Sequence, residues 1–340
     1  MIVEHLIVDT FGSHIGKYSK RLKVTQRGET LAEAPLLHLE AVLVTGRGVS
    51  ISADALEACA EHGIPVHFID SLGHTYAAVY SAGLTGTVLT RRAQLAAYVT
   101  ERGASFARSI VTAKLHNQSA TLKYLAKNRK ETDPDLYREL RLCAGDVLDF
   151  TARLDGLVGE SLADIRLQLM GIEGNAARHY WQAVGYVLPE TYRWPGRSGR
   201  GAVDPINSLL NYGYGILYSQ IERVLVLAGL DPYGGFLHAD RPGKPSLVLD
   251  LIEEFRQVAI DRVVIGLATR EFTVEQDQAD RLTEETRRSF AGHVLKHLDA
   301  NMRYSGKRYP LRIIMQMQAR HLASFLRGDC GQYIPFMGSW

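Results

Sequence analysis

The chain has 340 residues, of which 46% are hydrophobic, and its formal net charge is +2 at pH 7. That size suffices for a substantial buried core and for two domains, while a charge so near zero identifies no class of partner. Three widely spaced cysteines without a CxxC pair argue against a disulfide framework and a cysteine zinc site, and no apolar run is long enough to span a membrane. Because Glu4 and His5 also interrupt any signal-peptide core, we expect a cytoplasmic protein.

The beginning of the chain has the pattern of a compact β-rich domain, which we place at residues 1–84. Ser52 is a suitable N-cap for one helix, and Gly63 would end that helix. Short apolar runs bounded by turn residues predict strands at 2–9, 21–26, 30–34, 37–44, 64–70 and 75–80.

The rest of the chain changes to helical spacing. Small and polar residues lead into a linker at 85–90, and from about residue 91 nearly every segment repeats its apolar residues every three or four positions. One helix begins at Asp204-Pro205, a capping acid followed by proline, and extends to about Ala228. These patterns predict an α+β fold in which the small β-rich domain is followed by a larger all-α domain at 91–340.

Three basic segments contain no acidic residue. They lie at 102–130, which includes Lys114, at 193–200 and at 300–328. Such segments can follow a phosphate backbone, although a single basic run is more often a solubilising face. The residues that we expect to contact DNA are Lys123, Lys127, Arg129, Arg193, Arg197, Arg200, Arg303, Lys307 and Arg308.

A predicted helix that Ser161 can cap carries an unusual acid. Glu173 lies between Gly171 and Gly174 in a segment whose apolar residues otherwise keep helical spacing. Each glycine costs about 1 kcal/mol relative to alanine in a helix. The glycines therefore indicate either a ligand that approaches Glu173 closely or a neighbouring helix that packs closely, and the spacing leaves both readings open.

His238 and the predicted helix at 245–258 gather an imidazole and several carboxylates. Apolar residues cover most of this helix, and its polar residues form one stripe. The stripe consists of Asp250, Glu253, Glu254 and Gln257. Acids on a helix are usually just solvated, but carboxylates this close repel one another unless a cation or a basic partner relieves them. Imidazole and carboxylate ligands together suit a divalent metal that acts on phosphates.

Four motifs, in this order, resemble those of the Cas1 family, the integrase-nucleases of the CRISPR spacer-acquisition complex. The motifs are Gly-Ile-Glu-Gly at 171–174, Asp-Pro-Ile-Asn at 204–207, Gly-Phe-Leu-His at 235–238 and Asp-Leu-Ile-Glu-Glu-Phe-Arg at 250–256. The resemblance covers essentially the whole chain. It implies that Glu173, His238 and Glu253 are the catalytic metal ligands, with Asp250 and Glu254 as supporting acids. Many relatives carry aspartate at the position of Glu253, so the choice between Glu253 and Asp250 as direct ligand stays open.

The resemblance also implies an activity and its partners. The all-α domain would be the catalytic, DNA-binding part of a DNA endonuclease and integrase that uses Mn²⁺ or Mg²⁺. This enzyme would insert short foreign DNA fragments into a CRISPR array by 3′-hydroxyl transesterification. The expected partners are the captured double-stranded fragment, the CRISPR repeat, a second copy of the chain and a small acquisition protein of the Cas2 family, with the β-rich domain making dimer and partner contacts.

Two other classes of function remain open at this stage. One is a structural DNA-binding protein whose acids form salt bridges with arginines such as Arg178 or Arg256 and bind no metal. The other is a metal-dependent hydrolase of small phosphate esters.

Overall fold

A computed structural model describes residues 5–39, 41–70, 73, 75–80, 87–157, 161–199 and 201–338. Most strands precede residue 80, and nearly all the helices follow residue 86. The prediction of an α+β fold with a β-rich beginning and a mostly helical remainder is therefore confirmed. No helix within the described ranges has both the length and the apolar character that a membrane crossing requires.

Two four-stranded sheets and one helix form the β-rich part. Its elements are β1 (His5–Val8), β2 (His14–Tyr18), β3 (Arg21–Gln26), β4 (Glu29–Pro35), β5 (Ala41–Val44), β6 (Ser50–Ile51), α1 (Ala53–Glu61), β7 (Val66–Ile69) and β8 (Thr75–Val79). One sheet has the strand order β4-β3-β2-β6 and the other has the order β1-β5-β7-β8, with β1, β5 and β7 parallel. The inward-facing side chains of the strands share a core with α1, which includes Leu6, Val24, Val42 and Ala58.

The structure differs from the sequence-based expectation at several places in this region. Strands β2 and β6 were not predicted, because β2 has few apolar residues and is held by antiparallel pairing with β3, and β6 is only two residues long and pairs with β2. The predicted strand at 37–44 is divided, since a 3₁₀ turn at Leu36–His38 precedes β5. Helix α2 already begins at Thr87, so residues 87–90 of the predicted linker are helical, and residues 85 and 86 lie outside the described part of the chain.

The helical part is built around one long helix. Its elements are α2 (Thr87–Ala97), α3 (Glu101–Ala126), α4 (Pro134–Asp155), α5 (Leu162–Gly185), α6 (Pro205–Leu227), α7 (Ser246–Leu251), α8 (Arg262–Ala268), α9 (Glu284–Leu298), β9 (Asn301–Tyr304), β10 (Lys307–Pro310) and α10 (Leu311–Arg327). Helix α3 packs against α4 and α5. The predicted caps are confirmed: Ser161 forms a capping box with Asp164, and the carboxylate of Asp204 accepts a hydrogen bond from the backbone N–H of Asn207 at 2.9 Å.

A hairpin corrects the expectation that everything after residue 91 is helical. Strands β9 and β10 pair antiparallel across a turn in which Ser305 and Gly306 have positive φ. The predicted DNA contacts Arg303, Lys307 and Arg308 therefore lie on this hairpin.

The acidic segment is not the regular helix that the apolar spacing predicted. After α7 the chain narrows to a 3₁₀ turn at Ile252–Glu254 and then widens to a π-helical turn at Gln257–Asp261, before α8 begins. Because both turns change the rotation per residue, the predicted single polar stripe is divided. Asp250, Glu253 and Glu254 consequently contact three different sets of partners.

A close backbone contact joins the two parts of the molecule. A Cβ on Gly215 of α6 would lie 1.5 Å from the carbonyl oxygen of Gly73, so only glycine fits there. Nearby, Thr75 Oγ1 on β8 lies 2.6 Å from Ser219 Oγ, one turn further along α6. Gly73 and the first residue of β8 are thus held directly against α6.

Candidate metal centre and DNA-contacting surfaces

Two of the predicted metal ligands, Glu173 and Glu253, meet at one cation. Helix α3 places the ammonium group of Lys114 between them, where Nζ lies 2.6 Å from Glu253 Oε2 and forms a second ion pair with Glu173 Oε1. The side chains of Lys114, Glu253 and Glu173 are 12%, 7% and 24% exposed. The two carboxylates therefore share a positive charge that is largely shielded from solvent.

Arg256 gives Glu253 a second positive neighbour. Its Nε lies 3.0 Å from Glu253 Oε1, in an ion pair whose geometry is not that of a hydrogen bond. Burial alone would raise the pKa of Glu253, but the charges of Arg256, Lys114 and His238 lower it to about 2. Burial likewise opposes the charge of Lys114, yet Glu253 and Glu173 raise its pKa above the ordinary value. At neutral pH the carboxylate of Glu253 is ionised and Lys114 is protonated.

Asp250 holds His238 rather than pairing with Lys114. Its Oδ2 accepts backbone hydrogen bonds from Phe236 and Leu237 at 2.6 and 3.0 Å, and its Oδ1 accepts from the backbone N–H of His238 at 2.9 Å. The ring Nδ1 of His238 lies 2.7 Å from the same Oδ1. Because a carboxylate has no proton to give, Nδ1 is the donor, and Nε2 keeps the lone pair that a metal requires. This is the arrangement by which a carboxylate orients a metal-binding histidine.

Glu254, predicted as a supporting acid, serves a different part of the molecule. Its carboxylate accepts hydrogen bonds from Tyr333 Oη at 2.5 Å, the backbone N–H of Phe336 at 2.8 Å and Gln318 Nε2 at 3.0 Å. Asn117 of α3 bridges the same region, since its Nδ2 donates to the carbonyl oxygens of Glu254 and Phe336. Glu254 therefore fixes the C-terminal segment 329–338 against α3, and it is not grouped with Glu173 and His238.

The donor chemistry fits a hard divalent cation. Within the described ranges, no three His, Cys, Asp or Glu side chains already surround one point at metal-ligand spacing. However, Glu173 and Glu253 converge on the ammonium group of Lys114, and the imidazole of His238, oriented by Asp250, lies close enough to Glu253 for its protonated form to lower the pKa of that carboxylate. Two carboxylates and one imidazole are a ligand set that suits Mn²⁺ and can hold Mg²⁺.

A stack of aromatic and guanidinium groups supports the centre. The guanidinium of Arg256 lies 4.5 Å from the ring centroid of Tyr214, and that of Arg197 lies 5.4 Å from the same centroid. The hydroxyl of Tyr214 donates to Asp261 Oδ1, and that of Tyr180 donates to Asp261 Oδ2 at 2.8 Å. Tyr214 is thus fixed at both its edge and its face, and it positions Arg256 beside Glu253.

The Asp-Pro-Ile-Asn motif organises the loop before α6. Asn207 Oδ1 accepts from Arg197 Nη1 at 3.1 Å, and Asn211 Oδ1 accepts from Arg197 Nη2 at 2.8 Å. Asn207 and Asn211 also donate to the carbonyl oxygens of Gly196 and Gly199. Arg197, predicted to contact DNA, is therefore engaged with its own chain.

The other predicted DNA contacts lie on separate surfaces. Lys123 lies in the last turn of α3, with Lys127 and Arg129 just beyond it. Arg193 follows a 3₁₀ turn and is exposed, and Arg200 lies outside the described residues. The hairpin β9–β10 carries the remaining three.

Arg129 also lines a cavity of about 810 Å³ between α3, α8 and α9. The other basic residues of its wall are Arg262, Arg270, Lys296, His293 and His297, and no acid contributes to it. Arg262 lies over the ring of Tyr124 at 3.9 Å from the centroid. This wall is a concentrated source of positive potential.

Two residues of the centre, Lys114 and Arg256, were not predicted as parts of it. Lys114 was noted only as a member of a basic segment, and Arg256 only as a salt-bridge partner in an alternative function. A signal for Lys114 is present, because it lies one turn after Ile110 on a helix whose neighbouring turns bury Val111, Leu115 and Gln118. A lysine on a buried helix face requires an acidic partner.

Comparison with known proteins identifies the family. The family model described as "CRISPR associated protein Cas1" matches residues 6–296. The CRISPR-associated endonuclease Cas1 1 of Archaeoglobus fulgidus is 37% identical, with 98% of this chain and 99% of that protein covered.

Two solved structures have the same fold. A casposase bound to its integration product superposes with a TM-score of 0.82 at 22% identity, over 98% of this chain and 93% of that one. A chain of a Cas6-RT-Cas1–Cas2 complex gives a TM-score of 0.78 at 24% identity, over 99% of this chain and 36% of that chain. With the family model matching most of its length, the chain belongs to the Cas1 family of CRISPR-associated proteins.

Proposed function

We propose that this chain is a divalent-metal-dependent DNA integrase and endonuclease that inserts captured DNA fragments into a CRISPR array as new spacers. The observation that carries the proposal is that the carboxylates of Glu173 and Glu253 converge on the shielded ammonium group of Lys114, near the imidazole of His238 that Asp250 orients. The name of the Archaeoglobus relative, an endonuclease, supports the class of reaction.

Glu173, Glu253 and the Nε2 of His238 would hold Mn²⁺ or Mg²⁺. Asp250 is the supporting acid, because both its oxygens are engaged by the 236–238 backbone and by the ring of His238. When bound, such an ion polarises a phosphodiester and stabilises charge on the departing oxygen. Arg256 is held by Tyr214 in a position to keep Glu253 ionised.

The reaction needs precise placement more than it needs a driving force. A 3′-hydroxyl of the fragment attacks a phosphorus atom of the repeat, so that one phosphodiester bond forms as another breaks. The proton that the attacking hydroxyl loses is balanced by the proton that the released 3′ oxygen gains. Because the two bonds are equivalent, holding both DNA molecules in register is the main task of the basic helical scaffold. Water in place of the hydroxyl gives hydrolysis.

The expected partners follow from family membership. The protein would act in the cytoplasm as a homodimer on double-stranded DNA, together with a Cas2 protein. The structural similarity to a chain of a Cas6-RT-Cas1–Cas2 complex supports the expectation of a Cas2 partner. The exposed Lys127, the half-buried Lys123 and the exposed basic residues of the hairpin β9–β10 are best suited to contact the DNA backbone.

A second candidate function has one specific observation in its favour. Glu253 is paired with Lys114 and Arg256, so the acidic cluster is neutralised by residues of the chain itself. A structural DNA-binding protein would need no more than this. Such a protein would show no divalent-dependent chemistry.

A strand-joining assay distinguishes the two functions. Linear DNA with free 3′-hydroxyl ends is incubated with a plasmid that carries a CRISPR repeat, with Mn²⁺, with Mg²⁺ and with a chelator. We expect Glu173→Gln, His238→Ala and Glu253→Gln to lower joining by at least about a hundredfold while DNA binding is retained.

The exposed Glu139 on α4 supplies the matched control, since Glu139→Gln removes the same charge without reaching the centre. Joining that continues unchanged in the chelator, or in all three variants, would overturn the assigned metal centre, whereas a wild-type chain that binds DNA but joins none of it with either metal would favour the structural function.

A further inference from the structure

The charges around the two proposed carboxylate ligands are already balanced by the chain. Glu173 and Glu253 carry two negative charges, and Lys114 and Arg256 carry two positive ones. Asp250 adds one negative charge, which its four hydrogen-bond donors stabilise where it lies. A divalent cation brought to this centre therefore leaves an excess of positive charge, even when Asp250 is counted.

Excess charge is costly here because the groups are poorly exposed. Glu253 is 7% exposed and Lys114 is 12% exposed, so water screens their interactions with an incoming cation only weakly. Two positive charges that compete for the same carboxylate oxygens repel each other at short range. The metal and the Lys114 ammonium group therefore oppose each other at Glu173 Oε1 and Glu253 Oε2.

Of the two resident cations, Lys114 is the one that can change its partner. Arg256 is clamped against the face of Tyr214, whose hydroxyl is fixed by Asp261. The ammonium group of Lys114 is the end of a flexible stem, and among the described residues it forms ion pairs with the two carboxylates that the metal would use.

We infer that Lys114 makes metal binding at this centre depend on a DNA phosphate, an inference that rests on the function proposed above. A phosphodiester supplies the negative charge that the centre lacks once a divalent cation is present, and it gives the displaced ammonium group a new acceptor. Metal and DNA then bind cooperatively, and each raises the affinity of the centre for the other by the same factor. In this way Lys114 limits occupancy of the centre by the metal to the DNA-bound state.

Mn²⁺ binding can be measured without any turnover, from the electron paramagnetic resonance signal of the free ion. For the full chain without DNA, we expect Lys114→Gln to bind Mn²⁺ at least about tenfold more tightly than the wild type, because one competing charge is gone. Lys114→Arg retains the charge and is the matched control, so its affinity should stay near that of the wild type. Circular dichroism establishes that each variant is folded.

The wild type provides a second measurement that needs no substitution. Its Mn²⁺ affinity should rise at least about tenfold when a DNA duplex with free 3′ ends is added, and this increase should shrink in Lys114→Gln. Equal Mn²⁺ affinity with and without DNA, or a Lys114→Gln affinity no higher than that of the wild type, would overturn the inference.

Failure of the proposed function gives a different result. If Glu173→Gln and Glu253→Gln leave Mn²⁺ binding intact, the metal site itself has been misassigned. If these two variants lose Mn²⁺ while Lys114→Gln binds it no better than the wild type, the site is correct and only the role of Lys114 is wrong.

Discussion

Single buried side chains set the electrostatics of this molecule, and the adjacent residues Glu253 and Glu254 show how differently neighbours can behave. Opposing charges lower the pKa of Glu253 to about 2, whereas burial raises the pKa of Glu254 to about 7 because its partners are uncharged hydrogen-bond donors. The residue types in the sequence are the same in both cases. What separates their pKa values is the set of partners: Lys114 and Arg256 bring positive charge to Glu253, whereas Tyr333, Phe336 and Gln318, all distant in sequence, bring uncharged donors to Glu254.

Asp261 allows this principle to be tested away from the proposed ligands. Burial raises its pKa to about 6, despite hydrogen bonds from Tyr214 and Tyr180 and the nearby charges of Arg197 and Arg256. An aspartate of the unfolded chain titrates near 3.9, so the folded state binds this proton more tightly, and the contribution to stability is lost as the pH rises through about 6. Asp261→Asn retains an acceptor but does not titrate.

As the pH rises from 5 to 7.5, we therefore expect the unfolding free energy of the wild type to fall by on the order of 1 kcal/mol more than that of Asp261→Asn. Urea denaturation at several pH values measures this difference, in which the titrations of His67 and Glu254 cancel because both proteins share them. Parallel pH profiles for the two proteins would show that the pKa of Asp261 is not raised in the folded state.

Among the elements, the segment from α7 to α8 departs furthest from its sequence pattern. The caps of α5 and α6 were predictable because a cap depends on residues within one turn of it. The 3₁₀ and π-helical turns were not, since side chains distant in sequence take up their backbone carbonyls: Asn117 donates to that of Glu254 at 2.8 Å, and His297 to that of Val258 at 2.9 Å. The apolar spacing thus located the segment but could not reveal that its acids diverge.

The C-terminal segment stabilises this irregular element through Glu254. Tyr333→Phe keeps the ring but removes the hydroxyl that donates to Glu254 Oε1, which leaves a buried carboxylate short of one donor. We expect a loss of about 1 to 3 kcal/mol in the free energy of unfolding, measured by chemical denaturation.

Tyr186→Phe is the control for that loss, because its hydroxyl contacts Gln182 on an exposed surface and its removal should change stability little. Equal stabilities for Tyr333→Phe and Tyr186→Phe would mean that the hydrogen bond to Glu254 contributes nothing.

For the molecule as a whole, the distribution of charge matters more than its sum. The net charge of +2 gave no indication of a partner, yet the wall of the cavity between α3, α8 and α9 gathers arginine, lysine and histidine without an acid. The basic segments of the sequence predicted only part of this basic cavity wall. Arg129 belonged to one of them, whereas Arg262 begins α8, Arg270 lies in the turn after α8 and Lys296 lies on α9, so these three reach the cavity only through folding.

Reversing charge in this cavity should weaken DNA binding without touching the centre. The double substitution Arg270→Glu and Lys296→Glu alters two exposed side chains, and we expect DNA affinity to fall at least about tenfold, with a shallower dependence on salt concentration. Fluorescence anisotropy with labelled duplex DNA over a series of salt concentrations measures both quantities. The double reversal Lys17→Glu and Lys20→Glu, at two exposed lysines of the β-rich part, changes the net charge by the same amount and is the control, so an equal loss there would mean that only the net charge matters.

The contact between Gly73 and Gly215 has a mechanical consequence. The two backbones touch with no side chain between them that could adjust, so a displacement of Gly73 towards α6 would be transmitted directly to that helix. The residue before Gly215 is Tyr214, whose ring holds the guanidinium of Arg256. A partner that binds the sheets and displaces Gly73 would therefore also displace α6, the helix whose Tyr214 holds Arg256 beside Glu253.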